Sequence, residues 1–285
     1  MRRIHVAIVG VNRSLSHTAD SIIREIVRPL TSSRFFDTHV SLTLIRPPGG
    51  VIDNPRSGES GHIEQDIPEP LRSWPVTVIN QEGDSGDAAT ERVPTGNLSD
   101  SWGDKVSSFR NLRHFLNALH VTYFSHVLPN SPDYVIMVRP DVRIDGRLWL
   151  RTRLFTMILR GGRRPQALLP SWARHRGAND RFAILSASAA APYFTRVSHI
   201  DDFFSEGSDL NSEKFLAWVL RKTATSHSIY TPMRRIRLGG VSSPEDDALV
   251  ARSALTRRAD IFRARSRRKI RTIFRSARRF PQRSR

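Results

Sequence analysis

Cysteine is absent from all 285 residues, which removes disulfides, thiolate metal sites and a cysteine nucleophile together. Long apolar runs are missing too, and nothing approaches the ~20 residues that a membrane-crossing helix needs. The first ten residues carry a basic end and a short apolar run, but no small-residue cleavage site follows them. They read as a first strand and not as a signal peptide. Several catalytic signatures are also lacking. Without Gly-x-Gly-x-x-Gly or a Walker loop, the dinucleotide and P-loop readings lose support. Without Gly-x-Ser-x-Gly or His-Glu-x-x-His, so do the serine hydrolase and the zinc protease. Hydrophobic residues make up 39% of the chain, little enough that part of it is expected to stay outside a packed core.

What is abundant is positive charge, and it is concentrated at one end. The formal net charge is +18, yet residues 251–285 hold 14 Arg or Lys against one acid, Asp260, for +13. The preceding 250 residues hold 31 basic and 26 acidic groups, a net of +5. The body is mildly basic and the tail carries the charge. The chain divides accordingly into a body, 1–245, and a basic tail, 246–285.

The body opens as strand, helix, strand. Residues 6–9 are apolar, and Ile22, Ile23, Ile26, Val27 and Leu30 then form one helical stripe capped near Ser16 or Thr18. Residues 39–45 look like a second strand, and this β-α-β opening implies a parallel sheet. Residues 46–104 hold seven of the 17 prolines and read as a loop-rich insertion, with one strand candidate at 76–79. A helix is predicted over 105–127, with Val106, Phe109, Leu112, Phe115, Leu116 and Leu119 on one face. Further helices are predicted over 147–159, stopped by Gly161-Gly162, from about Ser186, and over 211–222. Short strands are predicted at 167–169, 182–185 and 228–230.

The segment Asp133-Tyr-Val-Ile-Met-Val-Arg-Pro-Asp141 is the most informative. Residues 134–138 are apolar without alternation, the pattern of a strand buried on both faces. The run ends in Arg139, Pro140 and Asp141, where ligands sit in open α/β sheets. An arginine and a carboxylate there suit a phosphate and a metal, although a polar turn would use the same residues. Asn12-Arg13-Ser14 follows the first strand in the same way, beside a helix whose positive end would face the same crevice. Asn179-Asp180-Arg181 abuts the strand at Phe182. Ser212-Glu213 begins a helix, where an acid also complements the dipole with no further role. His227 is the late candidate for a metal ligand.

Taken in order, the Arg13 turn, Asp133-Tyr-Val-Ile-Met-Val-Arg-Pro-Asp141, Asn179-Asp-Arg-Phe-Ala183 and Asn211-Ser-Glu-Lys-Phe215 resemble a group of GT-A-type glycosyltransferase-like proteins. The resemblance covers residues 4–230 in islands. It implies an α/β, Rossmann-like, mostly parallel sheet flanked by helices, a nucleotide-sugar donor, and a glycan or lipid-linked acceptor. It places Arg139-Pro140-Asp141 where the family has an Asp-x-Asp metal grip. Here the first acid is an arginine. Asp141, with His227 as a further candidate ligand, would hold Mn²⁺ or Mg²⁺, or Arg139 would bind diphosphate without metal. Asn12, Arg13, Arg139 and Arg181 become donor-phosphate ligands, and Asp180 or Glu213 the base that activates the acceptor hydroxyl.

In the tail, Leu255, Ala259, Phe262, Ile270, Ile273, Ala277 and Phe280 recur at helical spacing among arginines. A helix over 251–280 would run about 45 Å and lie on an anionic membrane surface. The expected setting is cytoplasmic and peripheral to the membrane. The competing readings are nucleic-acid binding through the same arginines, a solvated tail, and a transferase-like fold without activity.

Overall fold

The computed structural model describes residues 1–54, 58–81, 105–159, 165–206 and 211–242. Strand β1 (Arg2–Val11) leads into α1 (Leu15–Ile22) and, through a π turn at Ile23–Val27, into α2 (Arg28–Thr31). Strand β2 (Phe36–Arg46) follows, then the hairpin β3 (Val51–Asn54) and β4 (Glu59–His62), and β5 (Val76–Asn80). Helix α3 (Lys105–Thr122) passes through a second π turn at Tyr123–Val127 into α4 (Leu128–Asn130). Both π turns lie just before a proline, Pro29 or Pro129. Proline lacks an N–H and its ring crowds the carbonyl four residues back, so the turn before it widens.

Next come β6 (Tyr134–Val138), β7 (Val142–Ile144), α5 (Leu150–Leu159), β8 (Gln166–Pro170) and β9 (Phe182–Ser186). Helices α6 (Ala187–Phe194), α7 (Ile200–Ser205) and α8 (Ser212–Thr223) precede β10 (Thr225–Ile229) and β11 (Met233–Arg235). Seven strands form one sheet in the order β10-β8-β9-β6-β1-β2-β5. β1 runs parallel to β2 and β6, β2 to β5, and β8 to β10. β9 alone opposes its neighbours, β6 and β8. The reason is length: residues 171–181 carry no helix and are too short for a parallel crossover.

The sheet is covered on both faces, as the unalternating strands require. On one face Val135 and Met137 of β6 pack with Leu116, Phe215 and Phe194 from α3, α8 and α6. On the other, Ile136 and Val138 pack with Ile22, Ile26 and Leu154 from the helical segments around α1 and α5. The α/β, mostly parallel architecture therefore stands as expected.

The boundaries shifted in places. The first helix begins at Leu15 with Ser14 at its N-cap position, ahead of Ser16 and Thr18, and the Ser14 hydroxyl donates to Ile236 O at 3.0 Å without capping the helix. The insertion contains a hairpin that its composition concealed, while β5 joins the sheet edge where a strand was expected. A small antiparallel pair, β7 with β11, lies outside the main sheet. The expected tail helix, the Gly161-Gly162 stop and the Val106 and Phe109 side chains lie outside what the structure describes.

Candidate functional site

Sheet pairing brings three of the four sequence clusters to one edge. In the parallel set, Val11, Val138 and Pro170 are carboxyl ends, and β9 starts there because it runs the other way. Val138 pairs with Phe182 on one side and Ile8 on the other. The Arg139 N–H then donates to Arg181 O at 3.0 Å, tying the Arg139 turn to the Asp180 turn. Asn12-Arg13, Arg139-Pro140-Asp141 and Asn179-Asp180-Arg181 therefore gather at one sheet edge, the position where open α/β sheets bind ligands.

Asp141 is the electrostatic hub and is almost wholly buried. Its two oxygens accept Arg139 Nε at 3.0 Å and Nη2 at 2.8 Å, a forked pair. Arg13 Nε lies 3.5 Å from the same carboxylate. Burial by itself would raise the Asp141 carboxyl, but the guanidiniums of Arg139, Arg13 and Arg235 outweigh it and hold the group far below its usual range. Burial would likewise lower Arg139, and Asp141, Asp180 and Glu213 push it above the ordinary guanidinium value. Arg13 also reaches Glu59 on β4 at 3.2 Å. Glu59 in turn takes Arg237 at 2.6 Å and the Leu238 N–H at 3.1 Å. The insertion hairpin and the segment after β11 thus close over the end of β1.

Asp180 differs from every other acid here. It is 3% exposed, yet its carboxylate makes no hydrogen bond or ion pair among the described residues. Arg139, Arg196 and Tyr193 lie within its electrostatic reach. Arg196 is 1% exposed, donates one bond to Tyr193 O at 2.6 Å, and leaves Nε and Nη2 without acceptors. Burial pulls Arg196 below the usual guanidinium range, and Tyr193 and Asp180 act against that pull. Arg139 and Arg196 each lie over the Phe115 ring, at 5.5 and 5.9 Å. Arg181 Nε also lacks an acceptor, whereas Arg13 Nε has the Asp141 carboxylate at 3.5 Å. Buried donors without acceptors are costly, and three such nitrogens near one sheet edge suit a ligand rich in oxygen.

No protein-family model matches the chain, and no curated protein is found to match it.

The remaining candidates are placed as follows. The Asn12 amide donates to Glu64 O at 2.9 Å and Asp66 O at 3.4 Å, so it pins the insertion to β1. Glu213 lies in the first turn of α8, 3.7 Å from Arg181 and accepting the Ser212 hydroxyl at 2.9 Å. It is the more engaged of the two base candidates. His227 is exposed on edge strand β10, three strand spacings from β6, on the order of 14 Å. It does not meet Asp141. Both Asp141 oxygens are occupied by Arg139, so a divalent ion would have to displace a guanidinium. The described residues contain no group of three metal-ligating side chains. The donor set does not fit a metal grip.

Glu59, Arg196, Arg235 and Arg237 were not foreseen. Glu59 was hidden in the proline-rich insertion. Arg235 and Arg237 sit beyond the last expected strand, and only the β7–β11 pairing reveals their place. Arg196 follows an alanine-rich helix and carries no motif.

Proposed function

We infer that the chain is a GT-A-type glycosyltransferase that moves a hexosyl group from a nucleotide-diphosphate sugar to a hydroxyl of a glycan or lipid-linked glycan. The observation that carries the reading is the combination at the sheet edge of buried, unsatisfied guanidinium donors with one unpaired carboxylate, Asp180. Six arginines (13, 139, 181, 196, 235 and 237) stand against four acids (Glu59, Asp141, Asp180 and Glu213), so the crevice favours an anion. A strand order in which the sheet is parallel except for β9 is compatible with the fold.

In this reading the diphosphate lies against Arg139, Arg13 and Arg196. The acceptor oxygen forms a bond to the anomeric carbon as the bond from that carbon to the phosphate oxygen breaks. Negative charge grows on the departing diphosphate, and fixed guanidiniums held by Asp141 and Glu59 meet it without reorganising. Asp180 takes the hydroxyl proton, because its carboxylate is not already bonded. Asp141 is a positioning residue that fixes Arg139. Mn²⁺ or Mg²⁺ has no ready ligand set here, and no step is routed through one. Residues 251–285 would bring this chemistry to a membrane surface carrying the acceptor.

The test is a thermal-shift series of nucleotide sugars, with and without Mn²⁺, followed by turnover with Asp180→Asn. A stabilising shift that does not need the metal is expected. Asp180→Asn should keep the shift and lose roughly 10²–10⁴-fold in rate. If no nucleotide sugar raises the melting temperature, the reading fails.

A further inference from the structure

A separate cleft of about 500 Å³ lies at the β8–β10 end of the sheet, between the loop after β8, helix α8 and β10. Its size is that of a small-ligand site. Arg174 and Arg176 line it from the loop, Lys214 and Arg221 from α8, and His227 from β10. Among the described residues, no aspartate or glutamate lines it. The nearby acids are engaged elsewhere: Glu213 with Arg181 and Ser212, Glu206 with Lys222 and Trp218. Among the described residues, Arg174, Arg176, Arg221 and His227 make no ion pair.

The loop that presents the two arginines is built and not draped. Ala173, His175 and Arg176 all adopt left-handed backbone, with φ of 46°, 40° and 67°, a conformation non-glycine residues rarely hold and one that clusters at ligand sites. The Gly177 N–H donates to Arg174 O at 2.5 Å, Arg174 Nε returns a bond to Gly177 O at 3.1 Å, and Ala178 N–H is fixed to Glu213 O at 2.8 Å. Gly177 presses so closely on α8 that a Cβ there would lie 2.1 Å from the Glu213 backbone. The loop backbone and Arg174 are therefore held in place beside α8. Three arginines and a histidine without an ion pair among the described residues exceed what a single carboxylate would balance, whereas a phosphate ester or diphosphate brings two or more charges and several acceptor oxygens.

We propose that this cleft binds the phosphate of a second ligand, separate from the Arg139 crevice. Gly177 and Ala178 line the cleft, and Asp180 follows two residues later in the same loop. On the transferase reading, on which this identification rests, the second ligand is a phosphate-bearing acceptor whose hydroxyl is presented to Asp180.

The experiment titrates inorganic pyrophosphate by calorimetry into the full chain in the presence of excess nucleotide sugar, which occupies the Arg139 site. The Arg176→Glu/Arg221→Glu variant alters two exposed side chains, and Arg28→Glu/Arg72→Glu changes the net charge equally at exposed positions elsewhere. At least a tenfold loss of affinity is expected in the cleft variant only, with the nucleotide-sugar melting shift unchanged. Equal loss in both variants, or none in the cleft variant, overturns the proposal while leaving the donor reading intact. Loss of the nucleotide-sugar shift with pyrophosphate binding retained in the wild type removes the acceptor identification and keeps the anion site. Repeating the titration with vesicles containing phosphatidic acid separates the sources. A cleft-dependent signal there assigns the phosphate to a lipid headgroup, and a signal confined to pyrophosphate assigns it to a soluble ligand.

Discussion

Removing Arg139 alone strands Asp141, a carboxylate 1% exposed, without its forked partner. Breaking one side of a buried pair costs about 3–5 kcal/mol, and Arg13 at 3.5 Å offsets only part of that. Arg139→Ala is therefore expected to lower stability as well as donor binding. Arg139→Met/Asp141→Asn should recover most of the stability in urea unfolding and none of the donor binding, which separates the two roles. His5 is a second residue whose state can be read out. It is buried on β1, bonded to the Ser41 hydroxyl at 2.8 Å, and burial, helped by His126 and His39, lowers it to about 3. The unfolded chain therefore binds a proton that the folded chain refuses between about pH 6.5 and pH 3, and stability must fall as pH falls through that window. Asp141 contributes its loss only below the usual carboxylate range. His5→Gln should flatten the decline between pH 6.5 and pH 4 by more than 1 kcal/mol, measured by denaturant unfolding at each pH.

The elements tie these residues together, and the loop between β8 and β9 matters most. Gly177 touches the α8 backbone, and no Cβ fits without displacing one or the other. Gly177→Ala is expected to cost about 1–3 kcal/mol by overpacking and to move Asp180 relative to Arg139, so turnover should fall further than stability does. Activity at a temperature well below the melting point measures that difference. This loop also marks the limit of what was legible in advance. Residues 134–138 could be assigned because an unbroken apolar run must be buried on both faces, and the Arg-Pro-Asp ending gave its place at the edge. The Asp180 turn could be flagged because polar residues abut a buried strand. That β9 runs antiparallel could not come from periodicity, which carries no strand direction, and rests on the short reach of residues 171–181. The hairpin carrying Glu59 was lost for a related reason. Its pairing partner and its contact with Arg237, 178 positions away, are long-range facts that local composition does not encode.

At the scale of the whole molecule, charge is divided unevenly along the chain. No helix among the described residues is long and apolar enough to cross a membrane. Residues 251–285 carry +13 while the rest carries +5. Each basic residue near an anionic surface contributes on the order of 1 kcal/mol, and that attraction weakens as salt shortens the screening length. Interspersed Phe262, Ile270, Ile273 and Phe280 add an apolar contribution that salt does not remove. The full chain is expected to float with vesicles containing phosphatidylserine and to keep a residual fraction at high salt, whereas a chain ending at residue 245 should stay in the pellet. The shortened chain should retain its melting shift with nucleotide sugar, because the Arg139 crevice lies in residues 1–242. If instead vesicles are ignored and duplex RNA is bound with a steep salt dependence that the truncation abolishes, counterion release from a phosphate backbone explains the tail, and the membrane assignment is wrong.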